Sequence, residues 1–158
     1  MEKLYSLAEI ASIRPSLHNV VLIGGVFDIL HSGHIDHLRE AKAYGETLIV
    51  HVTSDERVRQ KKGPARPINA QNDRAKLIAA IRYVDYVFID SVPHYDPKIL
   101  TAVKPDILLL NYEAVSPQIK NYLSTINPTI RVVVSDAPKV TSTTAIIAKS
   151  SQIAATSV

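Results

Sequence analysis

Short, almost uninterrupted apolar runs recur along this chain, separated by stretches whose apolar residues return every three or four positions. The runs at 20–26, Thr47–Thr53, Tyr86–Ile89, Asp106–Leu110 and Ile130–Val134 read as strands. The intervening periodicity predicts helices. The first spans 6–13, with Ser6 as N-cap, Glu9 three residues later and Leu7, Ile10 and Ile13 apolar. A second runs from 33 to 44, presents Ile35, Leu38 and Ala41 on one face and stops at Gly45. Gln71–Tyr83 follows, with Ala75, Leu77, Ile78 and Ile81 expected to be buried. Pro97–Val103, Pro117–Leu123 and Thr143–Lys149 complete the set. Residues 54–69 are polar, basic and proline-bearing and read as a loop, and Ala154–Val158 as a frayed tail.

Strands this apolar, each alternating with a helix, are buried on both faces. The expected fold is α/β: a single Rossmann-like domain over 1–158, its core at 20–150, with a five-stranded parallel sheet and helices on both faces. In such sheets ligands collect at the carboxyl ends of the strands, near the switch in strand order.

Composition narrows the function classes. The chain has 158 residues, 46% hydrophobic and 21% charged, and is long enough to bury roughly two-thirds of its unfolded surface. No run approaches the roughly 18 apolar residues of a membrane span, and MEKLYSLAEI lacks the apolar core of a signal peptide. The absence of cysteine excludes disulfides, thiolate zinc sites and cysteine nucleophiles, and fits a cytoplasmic enzyme. A net charge of +3, no tryptophan and two phenylalanines do not make the basic, aromatic stripe of a nucleic-acid binder. The excess base is better assigned to a polyphosphate pocket.

Residues 24–34 read GGVFDILHSGH, so the first strand ends in a glycine turn followed by two histidines three apart at a helix start. Gly24, Gly25, Val26, Phe27, Asp28, His31, Gly33 and His34 place imidazoles and free backbone N–H groups where they can hold a phosphate as charge builds on it. Glycine at 25 keeps the backbone open to a nucleotide, and Gly33 lets the histidine turn bend tightly. Asp28 orients the turn, holds Mg²⁺ through water, or caps the helix; the residues leave these open. A zinc site on His34 and His37 has the right spacing but no third ligand suggests itself.

This stretch resembles the HxGH nucleotidylyltransferase (cytidylyltransferase-like) superfamily, whose hallmark follows a GxFDxxHxGH lead. Within it the chain is most similar to the ADP-heptose synthase adenylyltransferase and glycerol-3-phosphate cytidylyltransferase branch, with archaeal FAD synthetase close by. The resemblance covers about residues 6–150. It implies that an acceptor oxygen attacks the α-phosphorus of a nucleoside triphosphate, ATP or CTP, with Mg²⁺, and that pyrophosphate leaves. His31 and His34 then contact the phosphates. The segment SDERVRQKKGPARPINAQNDR matches the heptose-type pattern without a gap; there Lys62 takes the phosphate-binding KG position and Arg74 the arginine aimed at phosphates or acceptor. Arg57, Arg59, Lys61 and Arg66 share its basic character. Ser142, Thr143 and Thr144 match the motif that closes the pocket at the last helix.

Two segments depart from the pattern. Asn111 stands where relatives carry a glycine and Glu113 where they carry acids, beside Tyr112, in the region of base recognition. Ala137–Thr141, with Lys139 as its only charge, replaces the arginine-bearing stretch of the cytidylyltransferases. The resemblance implies a phosphorylated sugar or small alcohol phosphate as acceptor and a homodimer, with no nucleic acid or membrane partner. The alternatives are FAD synthetase-like adenylylation of a flavin phosphate, and a non-catalytic nucleotide-binding or regulatory domain.

Overall fold

The computed structural model describes residues 3–111, 116–126, 128–135 and 142–156. Five parallel strands form one sheet in the order β3-β2-β1-β4-β5: β1 (Val20–Gly25), β2 (Thr47–Thr53), β3 (Tyr86–Asp90), β4 (Ile107–Asn111) and β5 (Arg131–Ser135). The α/β reading and its five-stranded sheet are borne out. Among the described residues, seven α-helices accompany the strands: α1 (Leu7–Ile13), α2 (Ser32–Ala43), α3 (Asp55–Lys62), α4 (Gln71–Ala79), α5 (Pro97–Val103), α6 (Pro117–Ile126) and α7 (Thr143–Thr156).

Strand alternation sorts the core into two layers. Val21, Ile23, Leu48, Val50, Val87 and Leu109 pack with Leu38 and Ala41 of α2 and Ala75 and Ile78 of α4. Their neighbours Val20, Leu22, Ile49, Phe88 and Leu108 pack on the other face with Ile10, Ile99, Val103 and Leu123, from α1, α5 and α6. The edge of β3 is partly covered, because Val87 exchanges backbone hydrogen bonds with Lys3 and Tyr5. The predicted capping box opens α1: Glu9 N donates to Ser6 Oγ at 3.2 Å and Ser6 N donates to the Glu9 carboxylate at 2.7 Å.

The chain reverses its order at β1, which has β2 on one side and β4 on the other. With β2 the pairing runs the whole strand, from Val20–Thr47 to Gly25–Val52. With β4 it comprises only Val21–Ile107 and Leu22–Leu108. Beyond that point the β4-facing edge of Ile23–Gly25 has no strand partner among the described residues, at the switch point where such sheets collect ligands.

Three expectations need correction. Residues 55–62 are a helix, not loop. Ser54 caps it by accepting from Arg57 N, Asp55 and Glu56 lie in its first turn, and Arg59, Lys61 and Lys62 in its last, matching the helix dipole at both ends. Leu77 is 45% exposed, because α4 ends at Ala79 and turns Ala75 and Ile78 inward instead. The final helix reaches Thr156, so the tail is helical well past Lys149.

Candidate active site

The turn after β1 is built under backbone strain. Phe27 and Ile29 both hold left-handed conformations, with φ of 51° and 38°. Such values are uncommon outside glycine and rare for a β-branched residue, and they concentrate at functional sites. The glycines serve neighbouring side chains. A Cβ at Gly25 would lie 2.9 Å from the Phe27 ring, so that ring, buried against the turn, already fills the space the sequence reading left for a nucleotide. A Cβ at Gly24 would run into the His94 ring. Gly33 sits inside the first turn of α2, and its φ is not left-handed; the bend lies at Phe27 and Ile29 instead.

His31 is the N-cap of α2 and His34 lies in its first turn. Their rings stack with centroids 3.7 Å apart and 21° between planes, and Phe27 meets His34 edge-on at 5.3 Å. His31 N donates to His34 Nδ1 at 3.4 Å, which makes Nδ1 the acceptor and leaves the proton of a neutral ring on Nε2. Burial pushes the His34 pKa down to about 4, helped by the neighbouring charges of His31, His37 and Lys62 and opposed by Asp28. Burial also lowers that of His31, whose Nδ1 is enclosed without a hydrogen-bond partner. At neutral pH both rings are therefore neutral. They offer N–H donors at a helix N-terminus, and an anion brought against them would favour their protonated form. Lys62, at the end of α3, is near enough for its charge to act on His34.

Asp28 is buried and its carboxylate is fully engaged. It pairs with Arg66 at 2.7 Å and accepts from the backbone N–H of Ile68 at 3.0 Å and of Asn69 at 3.0 Å. Burial alone would favour the neutral acid, but the Asn69, Ile68 and Arg66 donors outweigh it and hold the carboxyl below its ordinary range. Asp28 thus fixes the segment 66–69 and is neither the helix cap nor open to a metal-bound water. No group of three His, Asp or Glu among the described residues is placed to hold a metal ion, so they do not form a protein cage for Mg²⁺. The zinc pairing fails on geometry too: His37 turns to Glu40 at 3.7 Å while His34 stacks on His31.

Arg74 is corrected most sharply. The resemblance aims it at phosphate, whereas the structure buries it completely. Its Nε donates to Asn69 O at 3.0 Å, Nη1 to Val26 O, and Nη2 to Thr53 O at 2.8 Å and to the Asp55 carboxylate at 2.7 Å. With these acceptors surrounding it, the guanidinium braces the turn, the end of β2 and the 66–69 segment from behind. From the far side, Thr143 Oγ1 donates to Asp28 O at 3.2 Å, docking the start of α7 on the turn, and Ser142 caps that helix through Ala145 N at 3.2 Å. Thr144 is exposed one position further on, and Asn111 is exposed at the end of β4 opposite Ser135. Glu113, Tyr112 and the 137–141 segment lie outside the described residues.

The sequence reading missed His94 and His51. His94 follows β3, is 9% exposed and has its pKa pushed down to about 3 by burial, with His51, His37 and Lys61 adding to the effect. His51 lies beneath it on β2, ring centroids 6.2 Å apart, and its Nε2 faces the Asp90 carbonyl at 3.2 Å. The only signal in the sequence was a polar residue interrupting the apolar run of β2.

Comparison with known proteins places this geometry in context. Residues 22–154 match the family model described as cytidylyltransferase-like. The chain is 42% identical over 109 residues to the bifunctional protein HldE of Campylobacter fetus, a match covering 68% of this chain and 23% of that one. It is 48% identical over 90 residues to the FAD synthase of Thermococcus kodakarensis, covering 57% and 60% respectively. The match thus spans less than two-thirds of either relative. Among solved structures, the lipopolysaccharide core biosynthesis protein of Thermoplasma volcanium superposes with a TM-score of 0.67 at 33% identity, over 77% of this chain and 99% of that one. A pantoate-beta-alanine ligase from Francisella tularensis, at 18% identity and a TM-score of 0.59, shares the fold.

Proposed function

The chain belongs to the cytidylyltransferase-like family, and from that premise we propose that it is a nucleotidyltransferase acting on a phosphorylated small molecule. In the proposed reaction an oxygen of the acceptor phosphate attacks the α-phosphorus of a nucleoside triphosphate. The bond between the α-phosphorus and the bridging oxygen to the β-phosphorus breaks, and pyrophosphate departs with that oxygen. No covalent enzyme intermediate forms, so rate comes from alignment and from neutralising charge at the five-coordinate phosphorus.

The observation that carries this reading is the stacked, neutral His31–His34 pair at the N-terminus of α2, within reach of the Lys62 charge. In the proposed roles, His31 and His34 donate to the phosphates, and Lys62 at the end of α3 neutralises the triphosphate. The first-turn N–H groups of α7, brought to the turn by Thr143, add donors on the opposite side. Asp28 and Arg74 touch no substrate and position the turn. Mg²⁺ enters as the counterion of the triphosphate.

ATP is the preferred nucleotide in this proposal, since one relative is named for making an adenine dinucleotide and the 137–141 stretch lacks the cytidylyltransferase arginine. The 48% identity to that FAD synthase supports a second reading, in which the acceptor is a flavin phosphate. Pyrophosphate release, followed with ATP or CTP and Mg²⁺ against a panel of sugar, glycerol and flavin phosphates, tests both. His31→Ala and His34→Ala are expected to cost roughly 100-fold or more. Nucleotide binding with no turnover on any acceptor would replace catalysis with a nucleotide-binding or regulatory role.

A further inference from the structure

Each half of the sheet is hydrogen-bonded to its carboxyl end, but the seam between the halves is not. β1 and β2 pair as far as Gly25–Val52, and β4 and β5 as far as Asn111–Ser135. Between β1 and β4 the pairing stops, among the described residues, at Leu22–Leu108. A ladder fixes the strands it joins; where it ends, helices and side chains must set how far apart they lie. The groups proposed to hold the triphosphate fall on both sides of this seam. His31, His34 and Lys62 follow β1 and β2, whereas α7 follows β5.

Helix α2 bridges the two halves. It follows β1 and buries Leu38 and Ala41 in the layer that also holds Leu109 of β4. Glu40, between those two residues, reaches further: Ser135 Oγ, at the end of β5, donates to Glu40 Oε2 at 2.5 Å. Ser135 is buried and Glu40 partly so. A hydroxyl–carboxylate bond this short is charge-assisted, and roughly twice as strong as a neutral one. The same oxygen lies 3.7 Å from His37 Nδ1, so the carboxylate is also flanked on its own helix. His34, His37 and Glu40 follow at intervals of three, neighbouring positions on a helix surface, and lead from the histidine turn to β5. The contact of Thr143 Oγ1 with Asp28 O crosses the same seam.

We propose that Ser135 and Glu40 form a clasp across the seam and are thereby positioning residues for the nucleotide. Their hydrogen bond sets the carboxyl ends of β4 and β5 against the helix that carries His31 and His34. Neither side chain touches substrate. A triphosphate held from both halves needs its contacts kept within about 0.5 Å of their working geometry, and groups stay that close only when partners of their own restrain them. The value of the clasp for catalysis rests on the nucleotidyltransferase reading; the clasp itself is a property of the fold.

Amide hydrogen exchange without ligand, and calorimetric titration with ATP and with CTP, each with Mg²⁺, test this on the full chain. In Ser135→Ala the amides of 109–111 and 133–135 should exchange about fivefold faster or more, and those of 47–53 and 86–90 within about twofold of the parent. Whichever nucleotide binds the parent should bind Ser135→Ala and Glu40→Ala about fivefold more weakly or worse, and the double variant no worse than the weaker single one. Glu40→Gln keeps an acceptor for the hydroxyl and should stay within about twofold of the parent. A purely structural role would lower the melting temperature of the alanine variants and leave affinity, measured well below melting, where it was. Asp36→Asn, which breaks the exposed pair with Arg39 one turn away on α2, is the control and should change neither readout. Unchanged exchange in Ser135→Ala overturns the clasp. Faster exchange with parental affinity, or Glu40→Gln as weak as Glu40→Ala, overturns positioning through this bond. A parent that binds neither nucleotide overturns the nucleotidyltransferase reading, while exchange still decides the clasp.

Discussion

Asp28 and Arg74 grip the same residue from opposite ends: Asn69 donates its N–H to the Asp28 carboxylate at 3.0 Å and accepts from Arg74 Nε through its carbonyl, also at 3.0 Å. The segment after α3 is therefore fixed to the histidine turn by two buried ions that belong to different elements.

Arg74 should behave as a brace. Arg74→Lys cannot reproduce the fork that reaches Val26, Thr53, Asp55 and Asn69, and it leaves the Asp55 carboxylate without its partner. A loss of about 3–5 kcal/mol in urea unfolding is expected. Affinity for nucleotide, measured well below the unfolding midpoint, should change little. A large loss of affinity with unchanged stability would instead make Arg74 a phosphate ligand.

Gly24 and His94 should be coupled. Gly24→Ala forces a methyl group into the His94 ring and should destabilise by about 1–3 kcal/mol. Truncating the ring in Gly24→Ala/His94→Ala removes the clash, so the double variant should be more stable than the sum of the two single losses. Strict additivity in thermal melts would count against this packing.

Acid sensitivity follows from the buried histidines. His51 and His94 have folded pKa values of about 4 and about 3, below the ordinary 6.5, so below pH 6.5 the unfolded chain binds more protons than the native one. Stability falls as pH drops through that window, by about 2 kcal/mol per histidine at pH 5. Asp28, also depressed, adds its loss lower down, as pH falls from its ordinary value of 3.8 through its folded one. Urea midpoints between pH 7 and 5 should show the first phase, to which His34, also held at about 4, contributes as well, and His94→Asn should remove at most about a third of it. A flat profile would show that these rings are hydrated or charged in solution.

Ile29 should tolerate a polar replacement. Its left-handed φ of 38° costs a β-branched residue about 1–2 kcal/mol, which asparagine largely avoids. Ile29→Asn is expected to melt within a few degrees of the parent despite losing a partly buried side chain. A drop comparable to an ordinary Ile→Asn core substitution would refute the strained turn.

The fold was legible because parallel strands buried on both faces leave unbroken apolar runs, as in the DILLL stretch that leads into Asn111. The helix α3 was not, since Val58 is its one buried anchor and a single apolar residue has no period. Its evidence lay in the Ser54 cap and the ordering of acids before bases. At the site, the histidine turn could be read locally. The burial of Arg74 could not, because its acceptors at 26, 53, 55 and 69 converge only in three dimensions. His94 escaped for the same reason: Gly24, the glycine that accommodates it, lies far upstream, where a phosphate-binding turn already explained it.

The early parting of β1 from β4 after Leu22 and Leu108 has a consequence for engineering. The edge of Ile23–Gly25 that lacks a strand partner among the described residues consists of peptide groups, which every encoded residue except proline presents alike. A surface made of main chain does not drift when codons change. Libraries meant to alter substrate choice should therefore leave 23–25 untouched and sample the side chains of α3, where the proposed phosphate ligand Lys62 lies.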